Sequence, residues 1–241
     1  AQAMGMAAHF APLPMLMKWA NSFPTTMLKY ADFGWVTHCG VMAALLAEKG
    51  YNGDPTALDG DHGFWTAAGY ETFDFDTFVT GLGEKWYIMD AGFKPYPCCR
   101  FYHSALDLFA KIKREHRLAP EDIKRVTLKI TPFTAMPVWV ESSKWGDLKD
   151  RDRVIKHSEF SSAYLIALAA YGVRPGPEWV SPERLKDPKI IEFSKKVSHE
   201  PNLETFGMWK SFKGHGSELL KEMPVVVEVE STKGNFSAGT S

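Results

Sequence analysis

Positive charge is not in excess in this chain: 28 lysines and arginines stand against 29 aspartates and glutamates over 241 residues. A surface that neutralises nucleic-acid phosphates needs a basic excess, so no nucleic-acid partner is expected. Long apolar runs are missing too. The longest, around "GVMAALLA", falls far short of the ~20 residues that cross a bilayer, and no basic segment leads into a hydrophobic one near the start. No membrane partner is expected, and the expected location is the cytoplasm. Cysteine is scarce. Cys39, Cys98 and Cys99 are too few and too unevenly spaced for a disulfide framework or a zinc site, and adjacent cysteines bridge only with strain. A reducing compartment and no bound metal follow. Repeats and low-complexity tracts are also lacking.

What the chain does have is a 45% hydrophobic fraction, ample for a real core in one large domain or two small ones. From residue 1 to about 83 the text reads helical. "VTHCGVMAALLAEKG" is apolar nearly all round and ends at Gly50, a natural C-cap, so a buried helix is expected there. "YNGDPTALDGDHGFW" is broken by glycines and a proline and reads as a loop, and "ETFDFDTFVTGLG" as a short amphipathic helix closed by glycine. After Gly83 strand patterns alternate with helices. In "IKRVTLKI", Val126, Leu128 and Ile130 share one face; in "PVVVEVESTKGNFSA", Val225, Val227 and Val229 do the same, with "TKGN" as a hairpin turn. Helices are expected at about 100–116, 158–171 and 188–198. The fold class is a helical segment, residues 1–83, followed by an α+β domain, residues 84–241. The mixed-charge run "GDLKDRDRVIKH" reads as a solvated loop or helix entry.

The densest chemistry lies in "FKPYPCCRFYHSALDLF", residues 93–109. Lys94 precedes Pro95, which favours an extended backbone, and Pro97 stops that strand so that Cys98 to Arg100 fall near the first turn of a helix. An ammonium on a rigid element beside free helical N–H groups suits a carboxylate or a developing oxyanion. His103 titrates near neutrality and can act as acid or base, with Asp107 one turn on to orient it. Other readings stand beside these: a solvated lysine, a structural histidine and a cysteine pair that is packing material. Thiol chemistry at Cys98 or Cys99 is a more distant alternative.

Several of these phrases, in order, resemble the MmgE/PrpD family, which includes 2-methylcitrate dehydratase and cis-aconitate decarboxylase. "FKPYPCCRFYH" resembles its lysine, aromatic-proline and histidine pattern. "MLKYADFGWVTHCGVMAALLAEKGYNGD" resembles its buried helix with a lysine upstream, "LDGDHGF" the loop that follows, and "EFSSAYLIALAAYG" its Phe-Ser-x-x-Tyr helix. The resemblance implies a helical domain carrying an α+β lid, an active site between the two, and a homodimer or other oligomer. It implies cofactor-free lyase or isomerase chemistry on small di- or tricarboxylates: a proton beside a carboxylate is moved, and water or carbon dioxide leaves or the centre epimerises.

At matching positions, Lys29 and Lys94 are the expected anion stabilisers, and His103 the third catalytic candidate. Cys99, Arg100, Asp32, Asp61 and His62 are expected substrate contacts, while Ser161 of the Phe-Ser pair is expected to cap a helix. Two positions depart from the family pattern: many members carry a histidine where Asp32 stands, and decarboxylase-like members carry one where Cys99 stands. Relative to the family the chain also looks incomplete at both ends. The expectation is therefore a subunit or fragment that needs a second polypeptide or a preceding helical segment; the alternative is a non-catalytic carboxylate-binding or scaffold subunit of a hetero-oligomer.

Overall fold

The computed structural model describes residues 1–11, 21, 32–131, 134, 137, 139–140, 158–203 and 224–240. The chain divides into two compact units that part between Gly92 and Phe93.

In the first unit, α1 (Gln2–Phe10) packs against α2 (Asp32–Glu48). Helix α2 ends as its sequence demands. Gly50 takes a left-handed φ of 83°, its N–H donates to the carbonyl of Ala47 and that of Tyr51 to Leu46, which satisfies the last carbonyls of the helix. The expected burial does not follow. Ala43 is fully buried, but Phe33 is 72% and Trp35 62% exposed, and Val41, Met42 and Leu45 are open as well. An all-apolar helix can bury only the faces its neighbours cover, and the described neighbour α1 covers one.

The loop after α2 packs tightly on α1: the Gly53 N–H donates to the Gln2 side chain at 2.7 Å, and a Cβ on Gly5 would sit 1.9 Å from the Asp54 carbonyl oxygen. Two short helices follow, α3 (Phe64–Ala67) and α4 (Phe75–Val79), the latter capped by the Asp74 carboxylate on the Thr77 N–H. Trp65 stacks on Phe73 with ring centres 3.9 Å apart, which ties α3 to the approach of α4.

The second unit is built on a four-stranded sheet in the order β2-β1-β3-β4, where β1 is Ile123–Ile130, β2 Val197–Pro201, β3 Val226–Ser231 and β4 Gly234–Gly239. Strands β1, β3 and β4 pair antiparallel, and β2 lies parallel to β1. The expected inward residues Val126, Leu128, Ile130, Val225, Val227 and Val229 are all buried. The two-residue turn Thr232–Lys233 joins β3 to β4 as the "TKGN" pattern implies.

Helices α5 (His103–Glu115) and α6 (Ser162–Ala170) pack on one another and on this sheet. Helix α5 turns Ala105, Leu106, Phe109 and Ile112 inward at helical spacing; each large one contributes roughly 1.5–3 kcal/mol by leaving water. Helix α6 is buried almost all round, and the Ser161 hydroxyl caps it by accepting from the Tyr164 N–H, as expected of that serine. Lys113 of α5 donates to the carbonyls of Ala169 and Ala170, closing the other end of α6.

The short helices α7 (Pro182–Leu185) and α8 (Pro188–Ser194) start from the Ser181 and Asp187 caps. The helix expected over 188–198 is shorter than that. It ends at Ser194, and Val197–Pro201 become strand β2, because the open edge of β1 supplies backbone partners that outweigh local helical preference. The run "GDLKDRDRVIKH" lies outside the described residues.

Candidate active site in the second unit

Lys94, Cys99, Arg100 and His103 come together in one turn of the second unit. The structure differs from expectation in how that turn is made. Residues 93–94 are irregular and 95–98 form bends rather than a strand, because both prolines remove donors from the ladder a strand would need, and the Cys98 N–H closes back on the carbonyl of Tyr96 at 2.8 Å. A single 3-10 turn, Arg100–Tyr102, then leads into α5.

The facing wall is the 3-10 turn Ser158–Phe160. The Cys99 N–H donates to the Glu159 carbonyl at 2.9 Å, and the Tyr102 hydroxyl to the Phe160 carbonyl at 3.0 Å. The Cys99 sulfur accepts from the Trp139 indole at 3.5 Å. Cys98 is buried in the core, and burial pushes its thiol far above the ordinary range, so it is packing material and not a nucleophile. Lys94 and Arg100 are exposed.

His103 is where the arrangement becomes chemical. Nε2 of His103 is buried without a hydrogen-bond partner, and the Cys98 backbone lies where it favours the protonated ring. Assigning the proton of the neutral ring to Nδ1, on the side of the Cys98 backbone, leaves the lone pair on Nε2. A buried polar atom left unpaired calls for a water, a ligand or a reacting group. Burial lowers the proton affinity of the imidazole. The Cys98 backbone opposes that, the charges of Lys94 and Arg100 add to it, and the Asp107 carboxylate opposes it.

Asp107 does not orient His103 by a hydrogen bond, although its spacing implies that it should: it accepts from the Tyr96 hydroxyl at 2.6 Å. The Tyr96 ring meets the imidazole edge to face at 5.4 Å. Residue spacing gives no signal for Tyr96, since Asp107 lies eleven residues on and only the fold of the double-proline bend brings them together. Trp139 and the Glu159 carbonyl are equally invisible in the sequence.

Asp61 and His62 sit in the first unit, exposed in the glycine loop; His62 lines a surface cleft of about 370 Å³ together with His9, Asp54 and Asp59. Asp32 opens α2, with its side chain outside what the structure describes, and Lys29 lies outside the described residues. Among the described residues, no helix is long and apolar enough to cross a membrane.

An α+β unit with a mixed four-stranded sheet, two helices packed on it and a histidine-bearing turn at the entry to one of them defines the class. Residues 96–230 match the MmgE/PrpD C-terminal domain, and the chain belongs to the MmgE/PrpD family. That bears out the resemblance carried by the Tyr96–His103 and Phe160–Gly172 stretches, both inside the match. The family is one of dehydratase-like enzymes, which places this chain with the lyases at family level. No curated protein matched the chain in a sequence comparison.

Proposed function

We propose that this chain is part of a cofactor-free lyase or isomerase that acts on a small di- or tricarboxylate by removing a proton from the carbon beside a carboxylate. The observation that carries the reading is the Nε2 atom of His103, buried and unpaired, on a turn that also presents Lys94 and Arg100. In this reading Nε2 takes the proton, and the electron pair of the broken C–H bond moves into the carboxylate as an enediolate. The Lys94 ammonium stabilises that charge, because preorganised cations act on charge that develops in the transition state. Arg100 and Cys99 contact the substrate carboxylates. Collapse of the enediolate then expels the hydroxyl of the neighbouring carbon, which leaves as water with the proton held by the imidazolium, or the enediolate recovers a proton on the opposite face; in a decarboxylating reaction the pair of the broken C–C bond is instead protonated on carbon as carbon dioxide leaves.

Lys29 enters the proposal as a second anion stabiliser, and Asp32, Asp61 and His62 as further substrate contacts, each to be judged by substitution. The proposal includes a second polypeptide, an additional helical segment or a further copy of the chain against the first unit. The open apolar side chains of α2 support this, since such a surface is costly in water.

The test is turnover of a panel of di- and tricarboxylates by the protein as purified from its source, with any co-purifying chain retained. Lys94→Ala is expected to lower kcat by about 10²–10³ with substrate still bound, and His103→Gln by about 10²–10⁴. Unchanged turnover in either variant removes that residue from the mechanism. Binding without turnover in the wild-type assembly replaces the enzyme with a carboxylate-binding subunit.

A further inference from the structure

The spacing of His103 and Asp107 on α5 is the one at which a carboxylate and an imidazole normally pair along a helix. Such a pair would favour the imidazolium and occupy the ring with a counter-ion. The carboxylate is instead taken by the Tyr96 hydroxyl at 2.6 Å, and the Tyr96 ring stands edge-on to the imidazole at 5.4 Å. On its other side that ring stacks on Trp179 at 5.9 Å, and Trp179 is itself fixed, its indole donating to the Val173 carbonyl at 3.2 Å and its own carbonyl accepting from the Tyr164 hydroxyl. The phenol is thus held on three sides, and Nε2 of the imidazole is left without a partner.

We propose that Tyr96 is a positioning residue for His103: its ring fixes the imidazole edge-on and its hydroxyl claims the Asp107 carboxylate, which leaves Nε2 without a partner. The inference rests on the reading of His103 as the proton acceptor. Burial and the Asp107 bond raise the phenol to about 12, so Tyr96 remains a donor throughout the neutral range. The charged or titratable groups that act on the imidazole are Lys94 and Arg100, which disfavour its protonation, and Asp107, which favours it. Tyr96 sets how far Asp107 succeeds. This explains why a base can sit one helical turn from a carboxylate without being held permanently protonated.

The experiment is a histidine titration by NMR on the full chain carrying 13C-labelled histidine, with the His103 resonance assigned from its loss in His103→Gln. Tyr96→Phe keeps the ring and frees the carboxylate, so the His103 midpoint is expected to rise by about half a unit to one unit, a roughly three- to tenfold gain in proton affinity. Asp107→Asn keeps a hydrogen-bond acceptor for Tyr96 and removes the charge, so the midpoint is expected to fall. Shifts of opposite sign are what a merely structural role cannot produce, since that role lowers thermal stability in both variants and leaves the titration where it was. Midpoints that stay put, or that move in the same direction, overturn the proposal. Should Tyr96→Phe fail to fold, Tyr96→Leu likewise frees the Asp107 carboxylate, and a His103 midpoint that does not rise in it overturns the proposal. The readout needs no substrate, so failure here is distinguishable from failure of the functional reading, which turnover of His103→Gln and Lys94→Ala decides.

Discussion

The Tyr102 hydroxyl donates to the Phe160 carbonyl at 3.0 Å, and this bond joins two turns that lie 58 residues apart in sequence. Tyr102 is 1% exposed, so its removal leaves a buried carbonyl without that donor. Tyr102→Phe is expected to cost about 1–2 kcal/mol in chemical denaturation. Hydrogen exchange at the Cys99 amide, which bonds to Glu159 beside it, is expected to quicken. An unchanged exchange rate at Cys99 would show that the turns are joined by other means.

His199 on β2 supplies an acid limit to stability. The Thr134 hydroxyl donates its one proton to the Thr131 carbonyl at 2.6 Å, so its 2.6 Å contact with His199 Nε2 requires that nitrogen to donate, and the ring is neutral. Burial lowers its pKa to about 4. The stabilisation is complete above the unfolded value of about 6.5 and is lost as pH falls toward about 4, because the unfolded chain takes up a proton that the folded one refuses. The loss approaches about 3 kcal/mol at most, as the ring keeps some solvent contact. Urea denaturation at pH 7 and pH 4.5 should show wild type losing more stability than His199→Gln; parallel losses would contradict the assignment.

The crossing of α1 over the following loop depends on glycine. A Cβ at Gly5 would meet the Asp54 carbonyl oxygen at 1.9 Å, and one at Gly53 would meet the Gln2 carbonyl oxygen at 2.3 Å. Backbone cannot yield as a side chain can, so Gly5→Ala is expected to cost about 3 kcal/mol. Gly40→Ala, inside α2 with nothing within 4 Å, is expected to stabilise by up to about 1 kcal/mol. Thermal denaturation of the two variants should move in opposite directions, and a Gly5→Ala protein as stable as wild type would exclude this crossing.

At the end of α5, Arg117 takes a φ of 49°, a left-handed conformation that suits glycine better. The Leu118 N–H donates to the Lys113 carbonyl at 2.9 Å to complete the cap. Arg117→Gly is expected to gain about 0.5–1 kcal/mol by relieving the strain, despite the flexibility it adds to the unfolded chain. A lower melting temperature would show that the arginine side chain contributes more than its backbone costs.

Local pattern determined much of this protein. The alternating apolar residues of β1 and β3 sort inward and outward because a pleat has a period of two, whatever surrounds it, and Gly50, Asp74 and Ser161 close helices because a helix end must satisfy its own backbone. The family, too, was legible, since "FKPYPCCRFYH" and "EFSSAYLIALAAYG" carry it. Only the tertiary structure decided the rest. That Val197–Pro201 is a strand depends on the free edge of β1, 71 residues away in register, and that α2 stays open depends on which neighbours reach it. Asp107 turns from His103 to Tyr96 for the same reason: a hydrogen bond goes to the donor the fold brings nearest, and a double-proline bend, not helical spacing, chose that donor.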